Sequence, residues 1–153
     1  MMQEIINNQQ FEYPQWLSQF ISVYEQLNKN NLELLETLYH QDVLFQDPVH
    51  QISGLNHLMT YCNFMYSNTS HCQFYIDEVI FDGVQAGVYW TMKYRHPKLN
   101  QGNTITVEGH TQVKGECERV TYHRDYLDMG AMVYEHAPVL GRLVRWLKHR
   151  LAQ

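Results

Sequence analysis

The chain reads as an α+β domain, and two textures of sequence predict it. Up to about residue 70, apolar side chains recur at the helical period. Beyond it they alternate in four runs, separated by Gly, Asp and Pro turn signals. In the first half, Pro14 to Asn28 carries Trp16, Leu17, Phe20, Ile21, Tyr24 and Leu27 at helical spacing, and Asn28-Lys29-Asn30-Asn31 ends that helix. A shorter helix over Leu32 to Tyr39 places Leu34, Leu35 and Leu38 together. Gly54 opens a third, through about Ser67, with Leu55, Leu58, Met59, Cys62 and Met65 on one side.

The strands follow. Gln73 to Phe81 is rich in Phe, Tyr, Ile and Val, and Asp82-Gly83 turns the chain. Gln85 to His96 alternates around Ala86, Val88, Trp90, Met92 and Tyr94. Thr104 to Lys114 sets Ile105, Val107, Gly109, Thr111 and Val113 on one face and His110 on the other. Gly115-Glu116 leads into a last strand, Arg119 to Asp128. A final helix over Ala131 to about Leu151 contains Pro138, which must kink or split it. The whole, 1–153, is read as one domain with a core over about 14–130 and a helical extension over 131–151.

Composition narrows the function classes. Sixteen acidic against eleven basic residues leave a net charge of −5, without the basic footprint of a nucleic-acid binder. Cys62, Cys72 and Cys117 are odd in number and lack metal-type spacing, so they read as reduced thiols. The nine histidines form no His-x₃-His pair and the cysteines no Cys-x₂-Cys knuckle, so no metal site is expected, and no cofactor is expected because the chemistry the residues suggest requires none. Met1 to Gln10 is polar, without the apolar stretch of a secretory signal, and no run approaches a membrane span. These features predict a cytoplasmic protein. Eleven Tyr, six Phe and three Trp suggest a ring-lined cavity or an interface, or tyrosines paving a sheet.

The chemistry concentrates at Leu38-Tyr39-His40-Gln41-Asp42-Val43-Leu44-Phe45-Gln46-Asp47-Pro48-Val49, followed by Ser53-Gly54. Here an apolar strand ends at a carboxylate whose backbone the next residue, a proline, holds extended. This run resembles the ketosteroid isomerase and SnoaL-like polyketide cyclase branch of the nuclear transport factor 2-like superfamily. The resemblance implies a cone, a strongly bent antiparallel sheet wrapped by the N-terminal helices. It also implies a homodimer through the outer sheet face and an aspartate, Asp47 in this chain, as general base. Desolvation at an aromatic rim raises a carboxylate toward useful basicity. The alternative is an Asp47 that accepts backbone N–H groups in its own turn.

His123-Arg124-Asp125-Tyr126-Leu127-Asp128 is similar to the last strand of limonene-epoxide hydrolases, whose first aspartate is the acid/base. Alternation puts Thr121, His123, Asp125 and Leu127 on one face, opposite Tyr122, Arg124 and Tyr126. The hydrolases also need an arginine and a second aspartate, where this chain has Met92 and Tyr94. The isomerases hold an enolate with a tyrosine and a protonated aspartate. This chain has Val23 at the tyrosine position, with Tyr24 about 100° around the helix, and Thr111 or Gly109 near the other.

The candidate catalytic set is therefore Asp47, Asp125, His123 and Tyr94. Tyr24, His50, Tyr61, Phe64, Met65, Trp90, Met92 and Thr111 are candidates to line a pocket for a small, flat, apolar cyclic molecule. The rings and methionines among them read equally as ordinary core. The reaction implied is proton abstraction next to a carbonyl, giving isomerisation or cyclisation. The competing reading is a non-catalytic ligand-binding or dimerisation module. Between Pro138 and Leu151, Arg142, Arg145, Lys148 and Arg150 stand opposite five aliphatic residues, with Trp146 among the cations. That pattern suits packing or a dimer contact, and also an anionic membrane surface.

Overall fold

A computed structural model describes residues 12–152. Helix α1, Gln15–Gln26, buries Trp16, Leu17, Phe20 and Val23 at helical spacing. Helix α2 is a single turn, Leu34–Leu38. Tyr39, expected to end it, already has extended backbone (φ −93°, ψ 145°) and begins strand β1, Tyr39–Gln46. The chain turns at Asp47–His50 and returns as β2, Gln51–Ser53, too short to show alternation in sequence. Gly54 then adopts φ +89°, a conformation glycine reaches freely, and launches α3, Leu55–Ser67.

Four long strands follow: β3 His71–Phe81, β4 Gln85–Arg95, β5 Ile105–Glu116 and β6 Arg119–Leu127. The curved sheet has the order β2-β1-β6-β5-β4-β3. Its pairs are antiparallel except β1 and β6, which run parallel with Phe45 opposite His123 and Gln46 opposite Arg124.

One face of the sheet carries the core. Ala86, Val88, Trp90, Met92 and Tyr94 from β4 pack with Ile105, Val107 and Val113 from β5, and the side chains of α1, α2 and α3 close over them. Gly109 fits beneath Trp90 because a Cβ there would lie 2.2 Å from the indole. On the other face, Tyr75, Ile80, Tyr89 and Tyr126 are exposed, and His110 stacks between Tyr89 (4.8 Å) and Tyr126 (5.5 Å).

The helix expected over 131–151 is split, as a proline at 138 requires. Helix α4, Met129–Met132, is capped by Asp128, which accepts the Gly130 N–H at 2.7 Å. A 3₁₀ turn over Tyr134–His136 follows, and α5 runs over Leu140–Leu151. Cys62, Cys72 and Cys117 are free thiols. Among the described residues, no helix is long and apolar enough to cross a membrane.

Candidate functional site

The parallel seam between β1 and β6 builds the site. One residue beyond the Gln46–Arg124 pair stand Asp47, at the start of the turn after β1, and Asp125 on β6. Both line an opening of about 320 Å³, with Gln46, Pro48, Arg124, Tyr126 and Leu127 around it.

Behind Asp125 runs a hydrogen-bonded chain through the core. His123 is fully buried, clasped by the rings of Phe45 (centroids 4.6 Å apart), Phe20 (5.7 Å), Tyr24 and Tyr39. Its Nε2 lies 2.8 Å from Asp125 Oδ1, and its Nδ1 lies 2.7 Å from the Tyr39 hydroxyl. That hydroxyl is in turn 2.7 Å from the hydroxyl of Tyr24. Burial lifts both phenols well above their ordinary value of 10.0, so each keeps its proton. With the Nε2–H tautomer of His123 the chain runs in one direction throughout. Tyr24 donates to Tyr39, Tyr39 to His123 Nδ1, and His123 Nε2–H to Asp125. On the far side, Thr111 donates to Asp125 Oδ1 at 2.5 Å and receives the Trp90 indole N–H at 2.8 Å. Asp125 Oδ1 thus accepts twice, while Oδ2 has no hydrogen-bond partner among the described residues. With 19% of its side chain exposed, Asp125 is where this network meets the opening.

Asp47 is held differently. Its Oδ1 accepts the backbone N–H groups of Val49 (2.8 Å) and His50 (2.6 Å), and its Oδ2 accepts the Tyr61 hydroxyl. The His50 ring Nδ1 lies 3.1 Å from Oδ2. Partial burial pushes this carboxyl upward, but the bonds from Tyr61, Val49 and His50 outweigh it and bring it below its ordinary 3.8. Asp47 thus stands at the rim, with Oδ1 occupied by the N–H groups of its own turn and Oδ2 by Tyr61 from α3. The expected rise in basicity is replaced by a fall, because donors surround the charged form.

The remaining candidates separate. Tyr94 is buried, and its hydroxyl donates to the carbonyl of Met132, fastening β4 to α4 rather than facing the opening. Burial raises it to about 12. Trp90 and Met92 belong to the packed core, and Met65 is half-buried on α3. Phe64 is 66% exposed, because it stands on the side of α3 opposite Leu55 and Leu58. Tyr24, His123, Asp125, Thr111 and Trp90 come together in one network, and Asp47, His50 and Tyr61 in a second beside it. Tyr39, the middle of the first network, was missed by sequence reasoning. A tyrosine between a helix and a strand carries no local signal of its partners. Among the described residues, no three His, Cys, Asp or Glu side chains gather as a metal site.

Comparison with known proteins agrees with the fold. No curated protein matches the chain. A hypothetical protein of ketosteroid isomerase-like fold from Catenulispora acidiphila, solved in complex with trimethylamine, superposes with a TM-score of 0.68 at 14% identity. That superposition covers 82% of this chain and 94% of the other. TerC, co-crystallised with polyporic acid, gives 0.66 at 15% identity over 76% and 94% of the two chains. A nuclear transport factor 2-like protein of unknown function from Burkholderia pseudomallei gives 0.65 at 16% identity over 78% and 95%. The family model of the SnoaL-like domain matches residues 20–123, from the Phe20 ring that packs on His123 to His123 itself, and the chain belongs to that family.

Proposed function

We propose that the chain binds a small carbonyl compound at the opening between β1 and β6 and moves a proton on it, with Asp125 as the group that takes the proton up. The observation that carries this reading is Asp125 at the opening, its Oδ2 without a hydrogen-bond partner among the described residues, backed by a hydrogen-bonded chain through His123, Tyr39 and Tyr24. A carboxylate whose other oxygen already accepts two bonds is oriented, and an oriented base needs no reorganisation as the C–H bond breaks. The chemistry is abstraction next to the carbonyl, followed by return of the proton elsewhere or closure of a ring. Asp47, with its oxygens occupied, shapes the rim and fixes Tyr61 and His50 there. The ligands named for TerC and the Catenulispora protein support small-molecule binding by this fold.

The test is deuterium exchange from solvent into a panel of cyclic ketones and β-diketones. The expected result is a loss of about 100-fold or more in Asp125→Asn, the range of a general base, and a smaller loss in Asp47→Asn. Exchange that survives in Asp125→Asn and vanishes in Asp47→Asn would return the base to Asp47.

A second reading, a non-catalytic binding module, is favoured by the interior of the sheet. Phe20, Tyr24, Tyr39, Phe45, Phe74 and Trp90 fill it with contacting rings. Absence of exchange with every ketone, alongside ligand-induced thermal stabilisation, selects that reading. In either case we place a second copy on the outer sheet face, over Tyr75, Ile80, Tyr89 and Tyr126. Sedimentation should show a dimer that Tyr89→Glu dissociates, and a monomeric wild type would remove that assignment.

A further inference from the structure

We infer that α5 is a lipid-docking helix that lies on an anionic bilayer surface with its leucine stripe buried among the acyl chains. The helix is mounted on its own domain by its polar side. Gly141 is buried, and a Cβ there would come within 2.3 Å of the Glu135 carbonyl oxygen. Arg145 donates to that same carbonyl. Lys148 bridges Asp128 (2.7 Å) and Glu135 (2.5 Å). These three residues follow one another at spacings of four and three, so they form a single stripe.

The apolar stripe looks elsewhere. Leu140, Leu143, Leu147 and Leu151 recur at helical spacing, turned on average about a third of a revolution from the mounting side. All four are exposed, Leu143 at 52% and Leu151 at 87%. An ordinary surface helix does the reverse and spends its apolar face on its own core.

Charge selects the occupant. The helix holds Arg142, Arg145, Lys148 and Arg150 and none of the chain's sixteen Asp and Glu, and with Arg145 and Lys148 engaged on the mounting side, Arg142 and Arg150 face outward. Arg150 and Trp146 border the leucine stripe, with the guanidinium 5.3 Å from the indole centroid, and Trp146 is 53% exposed. A cationic rim, a boundary tryptophan and an aliphatic face of leucines match the two layers of a bilayer surface, phosphate above and hydrocarbon below. Pairing α5 with α5 of a second copy would set cations against cations, which disfavours that occupant.

The experiment uses the full chain and vesicles of phosphatidylethanolamine with phosphatidylglycerol, against vesicles of phosphatidylcholine alone. Binding is expected to the anionic vesicles, weaker by about tenfold or more to the neutral ones, and falling as salt rises. Leu143→Glu with Leu147→Glu, and separately Arg142→Glu with Arg150→Glu, should each weaken it by about tenfold or more. Trp16 and Trp90 are buried, so brominated acyl chains should quench Trp146 alone, and Trp146→Phe should abolish the quenching. Every substituted side chain is exposed, and unchanged circular dichroism certifies the fold of each variant. Failure to bind anionic vesicles, or binding that neither pair of substitutions weakens, overturns the inference. So does a leucine-pair variant that changes only the oligomeric state, since a protein partner would then cover the stripe.

Discussion

Removing one oxygen atom from Tyr39 tests whether the buried network exists as drawn. In Tyr39→Phe the ring stays and only the hydroxyl leaves, so packing is nearly conserved. Two buried polar atoms lose their partner at once, the Tyr24 hydroxyl and Nδ1 of His123. Each orphaned group costs about 1–3 kcal/mol, so a loss of about 2–6 kcal/mol is expected. That is a large part of the roughly 5–15 kcal/mol by which a domain is stable. Tyr24→Phe alone removes one bond and leaves Tyr39 donating to His123, at about 0.5–1.5 kcal/mol. The double variant decides the matter. With both hydroxyls gone only Nδ1 is orphaned, so the double variant should be more stable than Tyr39→Phe alone, by about 1 kcal/mol or more. Urea denaturation followed by circular dichroism measures all four proteins, and equal slopes confirm that the same surface is exposed in each. A Tyr39→Phe loss under about 0.5 kcal/mol, the range of an ordinary surface substitution, or costs that simply add, would refute the shared hydroxyl.

Two further expectations concern the rim and the sheet. Asp47 has its native carboxyl below the ordinary 3.8, so its contribution is complete above that value and is lost as pH falls through the lower native one. The stability difference between wild type and Asp47→Asn, about 1–3 kcal/mol for charge-assisted bonds, should hold from neutrality to about pH 5 and shrink below the ordinary value. A difference that grows with acidification contradicts the assignment. Gly109→Ala should cost about 1–3 kcal/mol and shift Trp90 emission, because the added carbon overlaps the indole. An unchanged midpoint and unchanged emission would mean that the ring does not lie against Gly109.

The line between what sequence reveals and what it hides runs through the site itself. Helix and strand periods are local, so α1, α3 and the four long strands are legible to within a few residues, as is the break at Pro138. Alternation along β6 correctly separates His123 and Asp125 from Tyr122, Arg124 and Tyr126, because that rule also needs only one strand. The β1–β6 seam is of another kind. It joins residues about 80 apart, and nothing in either segment names the other. Yet this pairing gives Tyr39 its partner and sets Asp47 beside Asp125. Sequence reasoning therefore named both carboxylates and gave the stronger role to the one with the recognisable Asp-Pro setting. That setting also lowers its carboxyl pKa. The proline that holds Asp47 extended also begins the turn whose N–H groups bond its Oδ1, while Tyr61 from α3 donates to its Oδ2. Asp125 Oδ1 instead accepts from His123, two residues before it on β6, and from Thr111 across the sheet, and its Oδ2 has no hydrogen-bond partner among the described residues. The same Asp-Pro feature that marks a family resemblance thus surrounds Asp47 with donors, and it is on this contrast that the proposal of Asp125 as the base rests.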